Sequence, residues 1–262
     1  MLMHWLVLAL AAFGAGVLNA IAGGGSFLTF PALVWTGMAP IIANATSAVA
    51  VSPGYLGSTL GFKDELTRLP RRQLVQEGLV CALGGVLGAL LLLVTPAKVF
   101  SAVVPWLLLF ATLLFGLGPK LLAWRARRNA AGGGAPANAS EPPTASTPVR
   151  LLGLLVVAIY GGYFNGGLGI LLMALYALVG ESHLNTANAL KNLNSLLLSL
   201  LSVLAFAWAG AIAWPQALLM MACATAGGFW GARLAKRLPA TGVRIAVVIT
   251  GLVMALLFFL RG

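Results

Sequence analysis

Apolar runs of about twenty residues recur along the whole chain, and most charged residues lie between them. Only 8% of the 262 residues are charged, and 60% are hydrophobic, whereas soluble domains carry about a quarter charged residues. A globule of this size cannot cover its surface with so few ionic groups, so the lipid bilayer must be the solvent for most of the chain. The sequence therefore predicts an all-α polytopic membrane protein.

Both halves of the chain contain the same order of apolar segments. A full crossing takes about 20 apolar residues. Each half also has one short run, only about half a membrane long because a helix rises about 1.5 Å per residue. In the first half the long runs are 5–22, 41–61, 74–94 and 99–122, and the short one is 27–35; in the second half the long runs are 151–163, 184–212, 215–234 and 245–260, and the short one is 168–178.

An internal repeat relates the two halves. A nearly constant shift of 143 positions places Gly24 on Gly167, Gly37 on Gly180, and the glycine-rich run 84–89 on 227–232. One inserted residue makes the shift 144 in the segment that begins with 43–45, which falls on 187–189. Such self-similarity is the mark of a repeat architecture. We therefore predict a first transmembrane repeat, a connecting linker and a second transmembrane repeat. Their bounds are 1–122, 123–149 and 150–262, and the linker, rich in Gly, Pro, Ser and Thr, is predicted to be flexible and cytoplasmic.

The loop charges predict that the repeats are inverted. Loop 62–72 is basic and its counterpart near 213–215 is uncharged, whereas the loop near residue 96 is nearly uncharged and its counterpart 233–244 is basic. Because basic loops stay in the cytoplasm, equivalent loops prefer opposite sides. Almost all of the sixteen basic residues then lie on the cytoplasmic side; the exceptions are Lys98, Lys191 and Arg261.

A helical hairpin at the start of each half makes this inversion geometrically consistent. The segments 4–37 and 150–181 each join a long run to a short one, so each can enter and leave the bilayer on one side. The predicted fold is two inverted repeats, each a glycine-tipped helical hairpin plus three transmembrane helices. Whether the tips stop in mid-bilayer or cross it stays open.

The glycine tips are candidates for an anion site. A helix that begins inside a membrane leaves amide groups that only a cavity or ligand can satisfy, and a helix N-terminus after glycines binds anions. Glycines that merely allow close helix packing are the alternative. Because both tips share the feature, we predict a binding role. The tip residues of this site are Gly23, Gly24, Gly25, Ser26, Asn165, Gly166 and Gly167.

The long run after each hairpin carries polar residues at helical spacing. In the second half they are Asn188, Lys191, Asn192, Ser195, Ser199 and Ser202. The aligned positions of the first half hold Asn44, Ser47, Tyr55 and Ser58, and Thr46 lies alongside them; we add these residues to the predicted site as far as Ser47 and Ser195. Lys191 is the only ionisable residue well inside a run, which makes it a functional candidate. Its alternative is to extend to the cytoplasmic interface.

The residue types that carry catalysis are scarce. Two histidines, two cysteines and five acids assemble neither a metal site nor a nucleophile–base pair, so we predict no enzyme and no cofactor. The net charge of +11 is explained by cytoplasmic loops without nucleic acid. Glu77 is expected to pair with Arg71 or Arg72, with a proton relay as the alternative.

Specific motifs accompany these features. The run 19–26 reads Asn-Ala-Ile-Ala-Gly-Gly-Gly-Ser, and Pro31, Gly37, Pro40 and the run 43–47 follow it, with a weaker copy at Gly161, 165–169 and 188–191. In these residues the chain resembles the TauE/SafE sulfite exporter family, also called the toluene-sulfonate uptake permease family. The second copy departs in lacking a proline that matches Pro31, and Lys191 stands where similar proteins often have a small residue.

The resemblance implies a carrier of the bacterial inner membrane for sulfite, sulfonates and related organosulfur anions, and it adds Asn19 to the candidate binding residues. We predict a secondary transporter that exports such an anion by alternating access, since an inside-negative potential favours anion exit by about 2.3 kcal/mol per charge per 100 mV. The alternative is an anion channel or facilitator with paired re-entrant half-helices. The expected partners are a small anionic substrate and the lipid bilayer, with a homo-oligomer left open.

Overall fold

The computed structural model describes residues 2–21, 24–131, 148–181, 183–234 and 240–261, and these residues form helices joined by short turns, with no strand among them. This confirms the predicted all-α class. The helices are α1 (Leu2–Ile21), α2 (Ser26–Trp35), α3 (Pro40–Gly61), α4 (Lys63–Thr67), α5 (Arg71–Val94), α6 (Ala97–Ala131), α7 (Pro148–Tyr163), α8 (Leu168–Leu178), α9 (Leu184–Trp208), α10 (Trp214–Leu234) and α11 (Ala240–Arg261).

Helix α6 is longer than the sequence predicted. The predicted apolar run of this helix ends at residue 122, whereas α6 continues to Ala131. Residues 123–131 are mostly alanine and arginine, which favour helix strongly, so the helix continues where the hydropathy falls. Of the rest of the predicted linker, residues 132–147 lie outside the described residues, and 148–149 belong to α7.

Several helices can cross a membrane. Among the described residues, four stretches are long and apolar enough by length and composition: Leu2–Asn19, Arg71–Val94, Ala97–Leu114 and Asn185–Trp208. Helices α2, α7 and α8 are apolar but shorter. Large apolar side chains such as Leu79, Leu83 and Leu204 are more than half exposed, which suits a surface in contact with lipid rather than water.

The helices pair in a pattern that follows the repeat. Helix α1 packs along α10, and their counterparts α7 and α5 pack along each other. Helix α3 crosses its counterpart α9, and α6 packs against its counterpart α11. Each hairpin therefore rests on helices of the other half, and the two halves form one interleaved bundle.

Glycines allow the closest of these helix pairs to form. A Cβ atom added at Gly88 of α5 would fall on the carbonyl oxygen of Ile159 and lie 2.7 Å from the backbone nitrogen of Tyr163, both in α7. A Cβ atom added at Gly16 of α1 would likewise fall on the carbonyl oxygen of Ala224 in α10. Such contacts between backbones require small residues, as is common where membrane helices pack.

Repeat-related glycines also share an uncommon backbone conformation. Gly24 and Gly167, at the two hairpin tips, have φ of 92° and 77°, and Gly37 and Gly180, at the two hairpin exits, have φ of 90° and 88°. Positive φ is readily adopted only by glycine. The shift that aligns these glycines in the sequence therefore also aligns their local geometry.

Candidate functional site

The two glycine turns that begin α2 and α8 meet inside the bundle. The hydroxyl of Ser26 donates a hydrogen bond of 3.5 Å to the carbonyl oxygen of Asn165. Both residues are 5% exposed. Behind them the rings of Phe30 and Phe164 contact each other edge to face, with centroids 5.5 Å apart. Two segments that are far apart in the sequence thus form one buried junction.

Asn19 fixes the first turn. Its side-chain oxygen Oδ1 accepts a hydrogen bond of 2.7 Å from the backbone nitrogen of Gly25. The backbone nitrogens of Phe27 and Leu28 then donate to the carbonyl oxygens of Gly24 and Gly25, and helix α2 begins. The end of α1 is therefore tied to the start of α2 by one amide side chain.

Two tyrosines and a positive-φ glycine shape the second turn. The hydroxyl of Tyr160 donates to the carbonyl oxygen of Gly166 at 2.7 Å, and the hydroxyl of Tyr55 donates to Oδ1 of Asn165 at 3.3 Å. Gly167 is the N-cap of α8. Tyr55 comes from α3, so the second turn is held by both halves of the protein.

The predicted polar residues of α3 divide between two places. Asn44 donates from Nδ2 to the carbonyl oxygen of Tyr163 at 3.0 Å, and the hydroxyl of Ser47 lies 2.6 Å from that of Thr29 in α2. These two residues therefore contact the hairpins. Thr46 accepts a hydrogen bond of 3.1 Å from the backbone nitrogen of Ala213, so it holds the turn between α9 and α10 instead.

The predicted polar residues of α9 lie beside the second turn. Nζ of Lys191 donates to Oδ1 of Asn188 at 3.2 Å, and its stem lies 3.7 Å from the point where a Cβ atom of Gly169 would be. Asn192 and Ser195 are buried. Among the described residues the hydroxyl of Ser195 has no hydrogen-bond partner. Of the predicted site residues, Gly23 lies outside the described ones.

A cavity of about 340 Å³ adjoins the first turn. Of the predicted site residues only Asn19 lines it. The other lining residues come from α1, α3 and α10, and they are Gly16, Val51, Pro53, Gly54, Gly57, Ser58, Ala224, Thr225, Gly228 and Phe229. Besides Asn19, the sequence analysis had named only Ser58 among these lining residues, as a polar residue at an aligned position.

Glu77 is completely buried and its partner differs from the predicted one. Its carboxylate lies 2.8 Å from NH2 of Arg150, so the expected pairing with Arg71 or Arg72 is wrong. Five or six residues separate those arginines from Glu77, which puts them on other faces of α5, and both are exposed. Arg150 approaches because α7 packs along α5.

Three polar side chains complete the surroundings of this carboxylate. Gln73 donates to Oε1 of Glu77 at 2.9 Å, Tyr176 donates to Oε2 at 2.9 Å, and Asn194 donates to Oε2 at 3.2 Å. We call Glu77, Arg150 and these three residues the buried charge network. In the part of the chain that the structure describes, no group of three His, Cys, Asp or Glu side chains could hold a metal ion.

Comparisons with known proteins place the chain in a family. The family model described as "Sulfite exporter TauE/SafE" matches residues 8–258. A probable membrane transporter protein of Haemophilus influenzae is 30% identical over 92% of this chain and 89% of its own length. A probable membrane transporter protein, ORF9, of Sinorhizobium sp is 28% identical over 94% of this chain and 88% of its own length.

The probable membrane transporter protein YfcA of Escherichia coli K12 is 29% identical over 95% of this chain and 87% of its own length. No solved structure matches the chain significantly. Together with the apolar helices, these relatives indicate a multi-pass transport protein of the bacterial inner membrane. Because the family model spans nearly the whole chain, this protein belongs to the sulfite exporter TauE/SafE family.

Proposed function

We propose that this protein is a secondary transporter that exports sulfite, a sulfonate or a related sulfur anion by alternating access. The observation that carries the proposal is the meeting of the two glycine turns, with Ser26 and Asn165 3.5 Å apart. The family supplies the substrate class. The local chemistry of the turns supplies the reason why the substrate is an anion.

The junction is rich in groups that favour negative charge. Helices α2 and α8 both begin there, and a helix N-terminus carries partial positive charge that favours a bound anion. Lys191 lies beside the first turn of α8 and adds a full positive charge. The buried hydroxyl of Ser195, without a partner among the described residues, is a further donor for a bound oxyanion, since buried polar groups are normally satisfied.

Inversion of the two halves is part of the proposal. It is supported by the loop charges and by the reciprocal packing of α1 on α10 and of α7 on α5. In transporters with inverted repeats, broken helices from both halves surround the substrate near the midplane, and one half rocks against the other. In this proposal the glycine turns at the starts of α2 and α8 are those broken elements, and the contact between Ser26 and Asn165 supports it.

Flux measurements on purified protein test the proposal. Proteoliposomes loaded with radiolabelled sulfite or an organic sulfonate should release the anion with saturating kinetics, and an inside-negative potential should accelerate the release. Protein-free liposomes are the control. Flux that rises linearly with anion concentration would replace the carrier with a channel or facilitator, and no flux of any sulfur anion would contradict the proposal.

Replacing Lys191 with alanine should raise the KM for the exported anion by about tenfold to a hundredfold. A hydrogen bond to a charged group contributes about 1.5–3 kcal/mol, and about 1.4 kcal/mol is a tenfold change. Lys191→Arg keeps the charge and should retain most of the affinity. The matched control is Lys98→Ala, which removes an exposed lysine at the start of α6. Equal KM values for Lys191→Ala and the unaltered protein would remove this residue from the site.

A further inference from the structure

The cavity of about 340 Å³ that Asn19 lines lies next to the first hairpin tip. Helix α1 ends at Ile21, and from there the second halves of α3 and α10 form the walls. Four of the lining residues are glycines, and a Cβ atom added at Gly57 would meet no atom within 4 Å. The volume falls in the range of about 300–1,000 Å³ that is typical of small-molecule pockets. The space is therefore large enough for a small anion.

The residues that line the cavity reach from the glycine turn to the last turns of α3. Asn19 adjoins the turn, and Ser58 is close to the end of α3 at Gly61. Gly54 and Gly57 are exposed. The segment that follows contains Lys63, Arg68, Arg71 and Arg72, which the positive-inside rule assigns to the cytoplasm. The lining residues of α3 are therefore those nearest to the predicted cytoplasmic loop.

The equivalent space in the second half is closed. Asn19 aligns with Gly162, and a Cβ atom added there would fall on the carbonyl oxygen of Gly85. Ser58 aligns with Ser202, which is 2% exposed and donates a hydrogen bond of 3.0 Å to the same oxygen. Leu198, which aligns with Gly54, is also buried. The first half therefore has a cavity at this position, whereas protein atoms fill the equivalent position of the second half.

Asn19 presents a hydrogen-bond donor at the inner end of this cavity. Its Oδ1 accepts a hydrogen bond from the backbone nitrogen of Gly25. Within the described parts of the chain, its Nδ2 donates no hydrogen bond. Nδ2 lies 3.9 Å from the point where a Cβ atom of Gly54 would be. An amide N–H at the end of a mostly apolar chamber suits an oxyanion, which accepts hydrogen bonds only.

We infer that this cavity is the cytoplasmic loading chamber of the transporter, and that Nδ2 of Asn19 contacts the anion at its inner end. The inference rests on the proposed function and deepens it. It makes the conformation described here inward-facing, with the exit path through the second half shut by Gly85, Gly162 and Ser202. Outward opening would then require the α5–α7 contact to loosen while α1 and α10 close the chamber.

Thiol labelling of Gly57→Cys tests the chamber. The background carries Cys81→Ala and Cys223→Ala, which remove both native thiols. The probe is 2-sulfonatoethyl methanethiosulfonate, which is anionic, does not cross membranes and reacts with thiols in water. Thr67→Cys, at an exposed position of α4, is the matched control. We expect both variants to react in inside-out vesicles and neither in right-side-out vesicles. Only the Gly57→Cys variant should then lose most of its transport, at least tenfold.

Protection by a sulfonate separates failure of the chamber from failure of the proposed function. Sulfite cannot serve as the protecting anion, because it cleaves methanethiosulfonates and the disulfides that they form. If the inference holds, saturating methanesulfonate slows labelling of Gly57→Cys several-fold and leaves labelling of Thr67→Cys unchanged, independently of any flux measurement. Absence of labelling from the cytoplasmic side, or labelled Gly57→Cys protein that transports normally, overturns the chamber while sulfite flux by the unaltered protein upholds the proposed function. Labelling without protection by any sulfonate also overturns it.

Discussion

Replacing Arg150 with alanine should lower the free energy of unfolding by about 3–5 kcal/mol. Arg150 is 5% exposed and its guanidinium lies 2.8 Å from the carboxylate of Glu77, which is 0% exposed. Removing the arginine leaves a buried negative charge that cannot reach water. The same guanidinium lies over the ring of Tyr176 at 5.1 Å, so packing is lost as well.

The matched control for this loss is the exposed ion pair between Arg68 and Glu65. Their side chains are 73% and 27% exposed, with 3.5 Å between the charged groups, so Arg68→Ala should change the stability by about 0–1 kcal/mol. Thermal unfolding in detergent, followed by tryptophan fluorescence, should show a fall in Tm on the order of 10 °C for Arg150→Ala and little change for Arg68→Ala.

A double variant distinguishes charge from side-chain loss. Glu77→Gln together with Arg150→Met keeps the volumes, removes both charges of this pair and leaves only Glu181, whose carboxylate lies 3.9 Å from Arg150, without its partner. Replacements of a buried pair are often neutral or stabilising. We expect the double variant to melt well above Arg150→Ala. If Arg150→Ala melts like the unaltered protein, the buried charge network does not join α5 to α7 as described.

Replacing Gly88 with alanine should prevent α5 and α7 from packing and should destabilise the protein by about 3 kcal/mol or more, the upper part of the range for overpacked sites. The added Cβ atom would overlap the backbone of Ile159 and lie 2.7 Å from the nitrogen of Tyr163. Backbone atoms cannot rotate away as a flexible side chain can. The two helices would have to separate along their whole contact.

Replacing Gly57 with alanine should instead keep or raise the free energy of unfolding. Its added Cβ atom meets nothing within 4 Å, and alanine favours helix over glycine by about 1 kcal/mol. We therefore expect Gly57→Ala to melt at or above the unaltered protein. Gly88→Ala should give less folded protein on size-exclusion chromatography and a lower Tm than Gly57→Ala. Equal yields and equal Tm values for the two variants would contradict the close approach of α5 and α7.

Features that depend on local sequence were predictable. A long and a short apolar run joined by glycines predict each hairpin. The runs are apolar because they form helices inside a membrane, and the glycines are present because the tight turn needs a positive φ. Gly24 and Gly167 have that conformation. The alignment of Gly37 with Gly180 also reappears as matching positive φ at the two hairpin exits.

Features that depend on which helices touch were not predictable. Arg150 stands at the predicted start of the second repeat, next to the linker, and only the packing of α7 along α5 brings it to Glu77. Thr46 lies beside the polar positions of α3 and was predicted to be a site residue, yet its hydroxyl accepts a hydrogen bond from the backbone nitrogen of Ala213. The cavity depends on where α1 ends between two other helices, and a void leaves no pattern in a single sequence.

The central claim is that the halves cross the membrane in opposite directions, so that their glycine turns meet at one anion site. Single cysteines at Arg68, after α3, and at Ala209, after the equivalent helix α9, test it in intact cells with a membrane-impermeant maleimide. Both positions are exposed, and the background lacks Cys81 and Cys223. The account predicts that Ala209→Cys reacts from outside, whereas Arg68→Cys reacts only after permeabilisation. Reaction of both variants from the same face would contradict it.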